Sequence, residues 1–275
     1  MAKILVAEDD LRERNGLRVL LETRGYTVKV AADGVEALQR IQEEEFDLLL
    51  TDVWMPRMNG LELLSSLPNN PPLRTVVMTA DDTPGTLLEA LRGQACRFIA
   101  KPLNPKQLLE LIRSALAAPA PAPIEVTSAE PNWVELLVPC DMPTAERIQC
   151  FLERLDADLP AEVRRSVDLA FHELLMNAIE WGGRLNPDVK VRIACLRTEK
   201  MVLYRIADPG KGFKPAEIPH AAINNPLGQP LEHTAAREEK GMRPGGLGIL
   251  MAKAMVDELL YNEAHNEVVL VKYLH

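Results

Sequence analysis

Short apolar runs and amphipathic segments alternate five times over residues 1–118. The apolar runs have the length of strands, and the segments between them have the 3.6-residue spacing of helices. This alternation favours a parallel sheet with helices on both faces, because parallel neighbours need a helical crossover. The expected strands are ILVAE, TVKVA, FDLLLTDV, TVVMTA and RFIAK, and the expected helices cover 11–24, 34–44, 59–67, 84–92 and 104–117. The sequence therefore predicts an α/β doubly wound parallel sheet for this part of the chain.

A run of alanine and proline, AAPAPAP, follows the last of these helices at residues 117–123. Alternating prolines favour an extended spacer, so we expect a domain boundary here. The expected organisation is a first domain over residues 1–118, a linker over 119–130 and a second domain over 131–275.

The order of elements changes in the second domain. A predicted strand, VELLVP, precedes two amphipathic helices at 143–156 and 160–181. The elements expected after them are the strands KVRIACLRT and MVLYRIAD, a long Gly/Pro-rich loop, a helix at 246–257 and the strands DELLYNEA and VVLVKYL. This order predicts an α+β sandwich in which helices pack on one face of a mostly antiparallel sheet.

The composition and charge of the chain favour a globular protein and exclude several classes of partner. A hydrophobic fraction of 47% and a charged fraction of 26% are typical of a soluble globular protein. The net charge of -9 includes no basic excess in either domain, so we expect no direct nucleic-acid partner. The apolar run in the start MAKILVAEDD is too short for a signal peptide, and no other apolar run has the length of a membrane span. We therefore expect a cytoplasmic protein without membrane contact. The four cysteines lack metal-ligand spacing and are expected to be reduced.

Polar residues follow the predicted strands of the first domain, at the edge where the carboxyl ends of parallel strands meet. Glu8 and Asp9 follow one strand, Asp52 ends another, and Thr79 and Lys101 close two more. Clustered carboxylates make a hard oxygen site suited to Mg²⁺, and a nearby lysine can neutralise a phosphoryl group. Asp52 is the candidate nucleophile.

Together with LTDVWMPRMNG and IAKPL, these residues resemble those of the response-regulator receiver family over the whole first domain. The resemblance implies a flavodoxin-like fold and transfer of a phosphoryl group from an upstream histidine kinase to Asp52. It also implies a switch formed by Thr79 and Phe98. The implied Mg²⁺ ligands are Glu8, Asp9, Asp52 and the backbone carbonyl of Trp54.

The stretch FHELLMNAIEWGG, residues 171–183, supports two incompatible interpretations. His172 beside Glu173 is typical of the phosphorylated histidine of a sensor kinase. Glu173 and Asn177, however, lie one helical turn apart, and this spacing suits a nucleotide and magnesium site. An Asn amide oxygen can bind Mg²⁺, and a Glu one turn earlier can accept a proton or orient water.

Two later motifs favour the nucleotide site. ADPGKG ends a strand with Asp208, Gly210 and Gly212, which suits an acid that binds a purine amino group while glycines let the backbone approach the base. RPGGLGILMAKAM then opens a helix whose N–H groups can hold phosphate oxygens. The glycines at this helix start are Gly245, Gly246 and Gly248.

The loop between these motifs, residues 213–244, has the length of a lid. A Rossmann dinucleotide site is the alternative explanation of a glycine-rich helix start. It requires the glycines to follow a first strand within a βαβ unit, and GGLG does not do so.

The three motifs in this order resemble those of the GHKL ATPase superfamily, whose ATP-binding fold is the Bergerat sandwich. Residues 132–275 resemble most the anti-sigma-factor serine/threonine kinases of partner-switching systems. This resemblance implies ATP and Mg²⁺, with Glu173 as general base, Asn177 as an Mg²⁺ ligand and Asp208 as the adenine contact. It further implies an anti-sigma-factor antagonist as substrate, a sigma factor as another partner, and a homodimer.

Two alternatives stay open beside a kinase of this type. One is a non-catalytic module that uses ATP or ADP to set a partner-binding surface, and the other is a histidine kinase phosphorylated on His172. A phosphorylated histidine needs a dimerising helix pair upstream, so we interpret His172 as a packing or hydrogen-bonding residue. Trp181 stands where this branch has a histidine, and Asn266 and Glu267 replace a late Gly-Thr that helps to bind adenine.

Overall fold

The computed structural model describes residues 1–67, 73–80, 83–117, 122–130, 132–214 and 246–274. The chain divides into two compact units, Met1–Ile124 and Glu125–His275. None of the helices in the described ranges combines the length and apolar character needed to cross a membrane.

The first unit alternates strands and helices as the sequence predicts. The strands are β1 (Lys3–Ala7), β2 (Thr27–Ala31), β3 (Leu48–Asp52), β4 (Arg74–Thr79) and β5 (Arg97–Ala100). The helices are α1 (Leu11–Glu22), α2 (Gly34–Glu43), α3 (Gly60–Ser66), α4 (Pro84–Arg92) and α5 (Pro105–Ala117). The sheet order is β2-β1-β3-β4-β5, and each of these strand pairs is parallel.

Both faces of this sheet are covered by helices. Ile4 and Val6 of β1 pack with residues of α1 and α5, whereas Leu5 and Ala7 pack with residues of α2 and α3. Successive side chains of a strand point to opposite faces, so an unbroken apolar strand needs helices on both sides. The predicted doubly wound sheet is therefore confirmed.

The second unit has a six-stranded sheet. Its strands are β6 (Glu125–Glu130), β7 (Trp133–Pro139), β8 (Lys190–Arg197), β9 (Met201–Ala207), β10 (Glu258–Tyr261) and β11 (Glu267–Tyr273). Its helices are α6 (Met142–Leu155), α7 (Ala161–Asn177) and α8 (Gly248–Met255). The order is β10-β11-β9-β8-β7-β6, and all of these pairs are antiparallel.

Burial alternates along the strands of the second sheet. Every second residue of β9 is buried, and Tyr204 of this strand packs against Phe171 of α7 with 5.0 Å between ring centroids. A sheet with one buried face and helices on that face is the predicted α+β layout.

Two predicted boundaries were wrong. Residues Glu125–Glu130 lie in β6 and pair with β7, although the linker was expected to extend to residue 130. The strand is polar and lies at the sheet edge, so it carries none of the buried alternation that marks the other strands. The helix expected over residues 160–181 is an α-helix only as far as Asn177. One π-helical turn, Ala178–Gly182, follows it.

The four cysteines lie within the described residues and form no disulfide there, and three of them are buried. Cys140, for example, contacts the backbone at Gly183, and burial raises the pKa of its thiol to about 11. A thiol in this environment is protonated and packs as a small apolar side chain.

Candidate functional sites

Three carboxylates meet at the carboxyl ends of two neighbouring strands. Glu8 and Asp9 follow β1, and Asp52 ends β3. One ligand oxygen from each lies within 4.8 Å of the others, with Glu8 and Asp52 buried and Asp9 exposed. Three hard oxygen donors at this separation fit Mg²⁺. The structure thus brings together the three acids that the sequence selected.

Lys101, directly after β5, reaches this cluster. Its Nζ lies 2.6 Å from Oδ2 of Asp52 and 2.8 Å from Oε2 of Glu8. A third carboxylate oxygen, Oε2 of Glu13, lies 2.9 Å from the same nitrogen. The sequence predicted Lys101 near Glu8 and Asp52 but missed Glu13, which belongs to α1 rather than to a strand end.

The charges at this site perturb one another. Burial raises the pKa of Glu8, and the hydrogen bond from Lys101 only partly opposes it. Burial alone would lower the pKa of Lys101, but its bonds to Asp52, Glu8 and Glu13 outweigh this effect and raise it. Lys101 is therefore a permanent positive charge beside Asp52.

The other residues selected in the first unit lie around the same edge. Thr79 is buried at the end of β4, and its carbonyl accepts the N–H of Lys101 at 2.8 Å. Phe98 is buried on β5. The N–H of Trp54 lies 3.4 Å from Oδ1 of Asp52, and its side chain is 59% exposed. The metal contact expected from the Trp54 carbonyl stays a prediction.

In the second unit, Glu173 lies against the start of α8. A Cβ atom on Gly248 would be 2.3 Å from Oε2 of Glu173, so only a glycine leaves room for this carboxylate. The first N–H groups of a helix have no partner within the helix and attract anions. A carboxylate and the N-terminal end of a helix are therefore in contact.

Asp208 directly follows β9 and lies against Gly182, the last residue of the π-helical turn after α7. A Cβ atom on Gly182 would be 2.3 Å from both Cγ and Oδ1 of Asp208. Oδ1 accepts the N–H of Gly210 at 2.8 Å. Burial raises the pKa of Asp208, and the bond from Gly210 works against it. Since Gly182 ends the π-helical turn after α7, one continuous segment positions both Glu173 and Asp208; such turns are frequent at functional sites.

Asn266 holds the loop around Asp208 and was not selected as a site residue. Its backbone carbonyl accepts the N–H of Asp208 at 2.9 Å, and its Nδ2 donates to the carbonyl of Gly210 at 3.0 Å. Asn262 orients this amide, because its Nδ2 donates to Oδ1 of Asn266 at 2.8 Å. The sequence showed only that the expected Gly-Thr is replaced here.

The remaining predicted nucleotide residues are placed as follows. Asn177 is the last residue of α7, and Gly246 has a positive φ of 95° just before α8. Gly212 also has a positive φ, 76°, and a Cβ atom there would lie 1.7 Å from the carbonyl of Ala264. Gly245 and most of the predicted lid lie outside the described residues.

Two residues of the ambiguous stretch have distinct environments. Nδ1 of His172 is 2.6 Å from Oε1 of Gln149 in α6, which fits its interpretation as a hydrogen-bonding residue between the helices. Trp181 lies in the π-helical turn and is 59% exposed. Its indole ring is therefore largely in solvent, one residue before the glycine that contacts Asp208.

Two family models match the chain. Residues 4–113 match the response regulator receiver domain, and residues 142–272 match the histidine kinase-like ATPase domain. The first match includes the carboxylate cluster and Lys101, and the second includes Glu173, Asn177 and Asp208.

Individual proteins are also similar to parts of this chain. The transcriptional regulatory protein ZraR of Klebsiella oxytoca is 37% identical over 42% of this chain and 26% of its own length. The DNA-binding response regulator MtrA of Mycolicibacterium paratuberculosis is 29% identical over 69% of this chain and 83% of its own length. A CheY-like receiver domain protein from Methanospirillum hungatei is 32% identical, with 42% of this chain and 94% of that chain covered and a TM-score of 0.40. The chain spans about a quarter of the length of ZraR.

Proposed function

We propose that this chain, which joins a response regulator receiver domain to a histidine kinase-like ATPase domain, uses phosphorylation of Asp52 to control an ATP-dependent serine/threonine protein kinase of the anti-sigma-factor type. A histidine kinase supplies the phosphoryl group. The kinase substrate is an anti-sigma-factor antagonist, and a sigma factor is a further partner. The protein acts in the cytoplasm as a homodimer.

The receiver reaction follows from the carboxylate cluster. An oxygen of Asp52 attacks the phosphorus of the phosphohistidine donor, and the P–N bond breaks with its electron pair on the imidazole. Lys101, 2.6 Å from Asp52, neutralises charge that arrives with the phosphoryl group. Mg²⁺ held by Glu8, Asp9 and Asp52 would neutralise further phosphoryl charge.

The single observation that carries the kinase proposal is the contact between Glu173 and Gly248. This contact supports the proposal because a carboxylate beside the α8 N-terminus would be near the γ-phosphate of a nucleotide whose phosphates bind that helix end. Glu173 then accepts the proton of a substrate serine or threonine hydroxyl as its oxygen attacks that phosphorus, and the electron pair of the broken P–O bond leaves with ADP. Asn177 holds Mg²⁺ and Asp208 binds the adenine amino group.

A second candidate function is a non-catalytic module that binds ATP or ADP to set a partner surface. It is favoured by Glu267, which together with Asn266 stands in place of the expected Gly-Thr and is bonded to Arg205 at 2.7 and 3.0 Å. A carboxylate paired with Arg205 departs from the Gly-Thr of the serine-kinase branch, and this departure favours nucleotide binding without turnover.

Incubation with Mg²⁺-ATP and a candidate antagonist separates these functions. A kinase yields phosphoserine or phosphothreonine on the antagonist, and Glu173→Gln removes it. Glu162→Gln, an exposed change of the same type on the same helix, is the matched control and retains it. ATP binding without product would refute the kinase and favour the module. An acid-labile phosphate lost on substitution of His172 would instead indicate a histidine kinase.

The receiver assignment has its own test. Acetyl phosphate with Mg²⁺ labels the chain, and Asp52→Asn abolishes the label. Undiminished labelling of the first domain in Asp52→Asn would show that Asp52 is not the acceptor. Comparison of antagonist phosphorylation before and after this labelling gives the direction of control.

A further inference from the structure

Three carboxylates surround the Lys101 ammonium. The partners are Asp52 at 2.6 Å, Glu8 at 2.8 Å and Glu13 at 2.9 Å. Asp52 and Glu8 accept hydrogen bonds from Nζ, and Glu13 forms an ion pair with it. A phosphoryl oxygen that pairs with Lys101 therefore competes with these three carboxylates for one ammonium group.

The three partners differ in what else they do. Asp52 is the proposed acceptor, and Glu8 belongs with Asp9 and Asp52 to the oxygen cluster. Glu13 lies outside that cluster, in the first turn of α1, where Asp10 caps the helix by accepting the N–H groups of Arg12 and Glu13. Its contact with Lys101 therefore depends on the helix position and not on the acceptor chemistry.

Glu13 is also the partner that can be released at the lowest cost. Its side chain is 52% exposed, while those of Glu8 and Asp52 are 1% and 10% exposed. A half-exposed carboxylate regains water when it leaves an ion pair, so such pairs are weak. Until then, its negative charge partly neutralises the lysine that must attract the phosphoryl group.

We propose that Glu13 is a positioning residue that holds Lys101 in the resting receiver and slows phosphorylation of Asp52. This inference rests on the proposed acceptor role of Asp52. With acetyl phosphate as donor, an Asp52 oxygen forms the new bond to phosphorus, and the P–O bond to the acetyl group breaks with its electron pair on acetate. In this step Lys101 gives up its ion pair with Glu13 and pairs with a phosphoryl oxygen instead.

The test compares initial labelling rates with acetyl phosphate and Mg²⁺ in the full chain. Glu13→Gln removes the charge, and we expect labelling about two- to fivefold faster, the range of a half-exposed ion pair. Glu22→Gln makes the same charge change at an exposed position on the same helix, and its rate should equal that of the wild type. A rate for Glu13→Gln that equals the Glu22→Gln rate, or is slower, overturns the proposal.

A second variant distinguishes the contact from simple repulsion of the donor. Glu13→Asp keeps the negative charge but withdraws the carboxylate from Nζ by one methylene. Loss of the contact should make Glu13→Asp as fast as Glu13→Gln. A rate equal to that of the wild type would mean that charge alone matters, and would overturn a role through Lys101.

These results are separable from a failure of the proposed function. If the wild-type chain takes no label, or if Asp52→Asn is labelled like the wild type, the acceptor assignment fails and this inference fails with it. If Asp52-dependent labelling is normal and the Glu13 variants match Glu22→Gln, only the restraint by Glu13 is lost.

Discussion

Glu173 and Gly248 are in contact across the second unit, with 2.3 Å between Oε2 of Glu173 and the place where a Cβ atom of residue 248 would lie. Glu173 lies about one turn before the end of α7, and Gly248 begins α8. The absence of a side chain at position 248 lets a carboxylate lie beside the N–H groups of a helix start.

Gly248→Ala should displace the Glu173 carboxylate with little loss of stability, because the atom that clashes is the far end of a flexible side chain. We expect antagonist phosphorylation to fall roughly tenfold or more, since general bases act only at hydrogen-bonding distance. The unfolding transition should change little. The control is Gly16→Ala in α1, where a Cβ atom meets nothing within 4 Å. Unchanged kinase activity in Gly248→Ala would contradict the role of this contact.

Gly182→Ala should have a different effect. Its Cβ atom would lie 2.5 Å from Cβ and 2.3 Å from Cγ of Asp208, and the Cβ atom of Asp208 cannot move without the backbone. We expect loss of measurable ATP binding and a decrease of about 1–3 kcal/mol in the free energy of unfolding. Calorimetric titration with ATP and denaturant unfolding provide the two measurements. Gly85→Ala in α4, which has open space around it, should leave the ATP affinity unchanged and should not lower the free energy of unfolding. Wild-type affinity in Gly182→Ala would show that Asp208 does not contact the nucleotide.

The sequence predicts the first site better than the second because of strand geometry. Parallel strands place their carboxyl ends at one edge, so Glu8, Asp52 and Lys101 could be grouped without coordinates. Glu13 could not be included, because its reach to Lys101 depends on how α1 turns back from Asp10. Local order along the chain predicts strand ends but not contacts between a helix and a distant loop.

The second site shows the same limit. Residue type and spacing predict the motifs that contain Glu173, Asp208 and Gly248. They do not predict that Gly182 lies against Asp208, because this contact depends on the π-helical turn. The sequence predicts a linker where β6 lies, because this polar edge strand has no apolar pattern of its own. Pairing with β7 stabilises it instead.

Asn266→Asp should weaken nucleotide binding. The Nδ2 of Asn266 donates to the carbonyl of Gly210 at 3.0 Å, and a carboxylate oxygen in its place would face that carbonyl without a proton between them. We expect an ATP affinity about tenfold lower, since loss of one such bond and the added repulsion are worth roughly 1–2 kcal/mol. Displacement of a fluorescent nucleotide measures the affinity. Asn186→Asp is the control, because the Asn186 oxygen accepts the N–H of Asp188 and an Asp keeps this bond. Equal affinities for the two variants would exclude a role for the Asn266 amide.

Asp156 should make the stability of the second unit depend on pH. Burial raises the pKa of this carboxyl from 3.8 to about 6, although the Tyr204 hydroxyl donates to it at 2.6 Å and Arg197 lies 3.9 Å away. The folded state therefore binds a proton more tightly than the unfolded state, and the free energy of unfolding should fall as the pH rises from about 4 to 6. The shift corresponds to roughly 2–3 kcal/mol.

Asp156→Asn tests this dependence, because an Asn oxygen still accepts the Tyr204 hydroxyl but carries no charge at any pH. Unfolding is followed by tryptophan fluorescence in a Trp54→Phe background, which leaves Trp133 and Trp181, both in the second unit, as the reporters. Asp168, whose pKa burial also raises to about 6, titrates in both proteins, so the informative quantity is the difference between their curves. That difference should be small near pH 4 and should favour Asp156→Asn increasingly up to pH 6. Parallel curves would mean that Asp156 does not titrate differently in the folded and unfolded states.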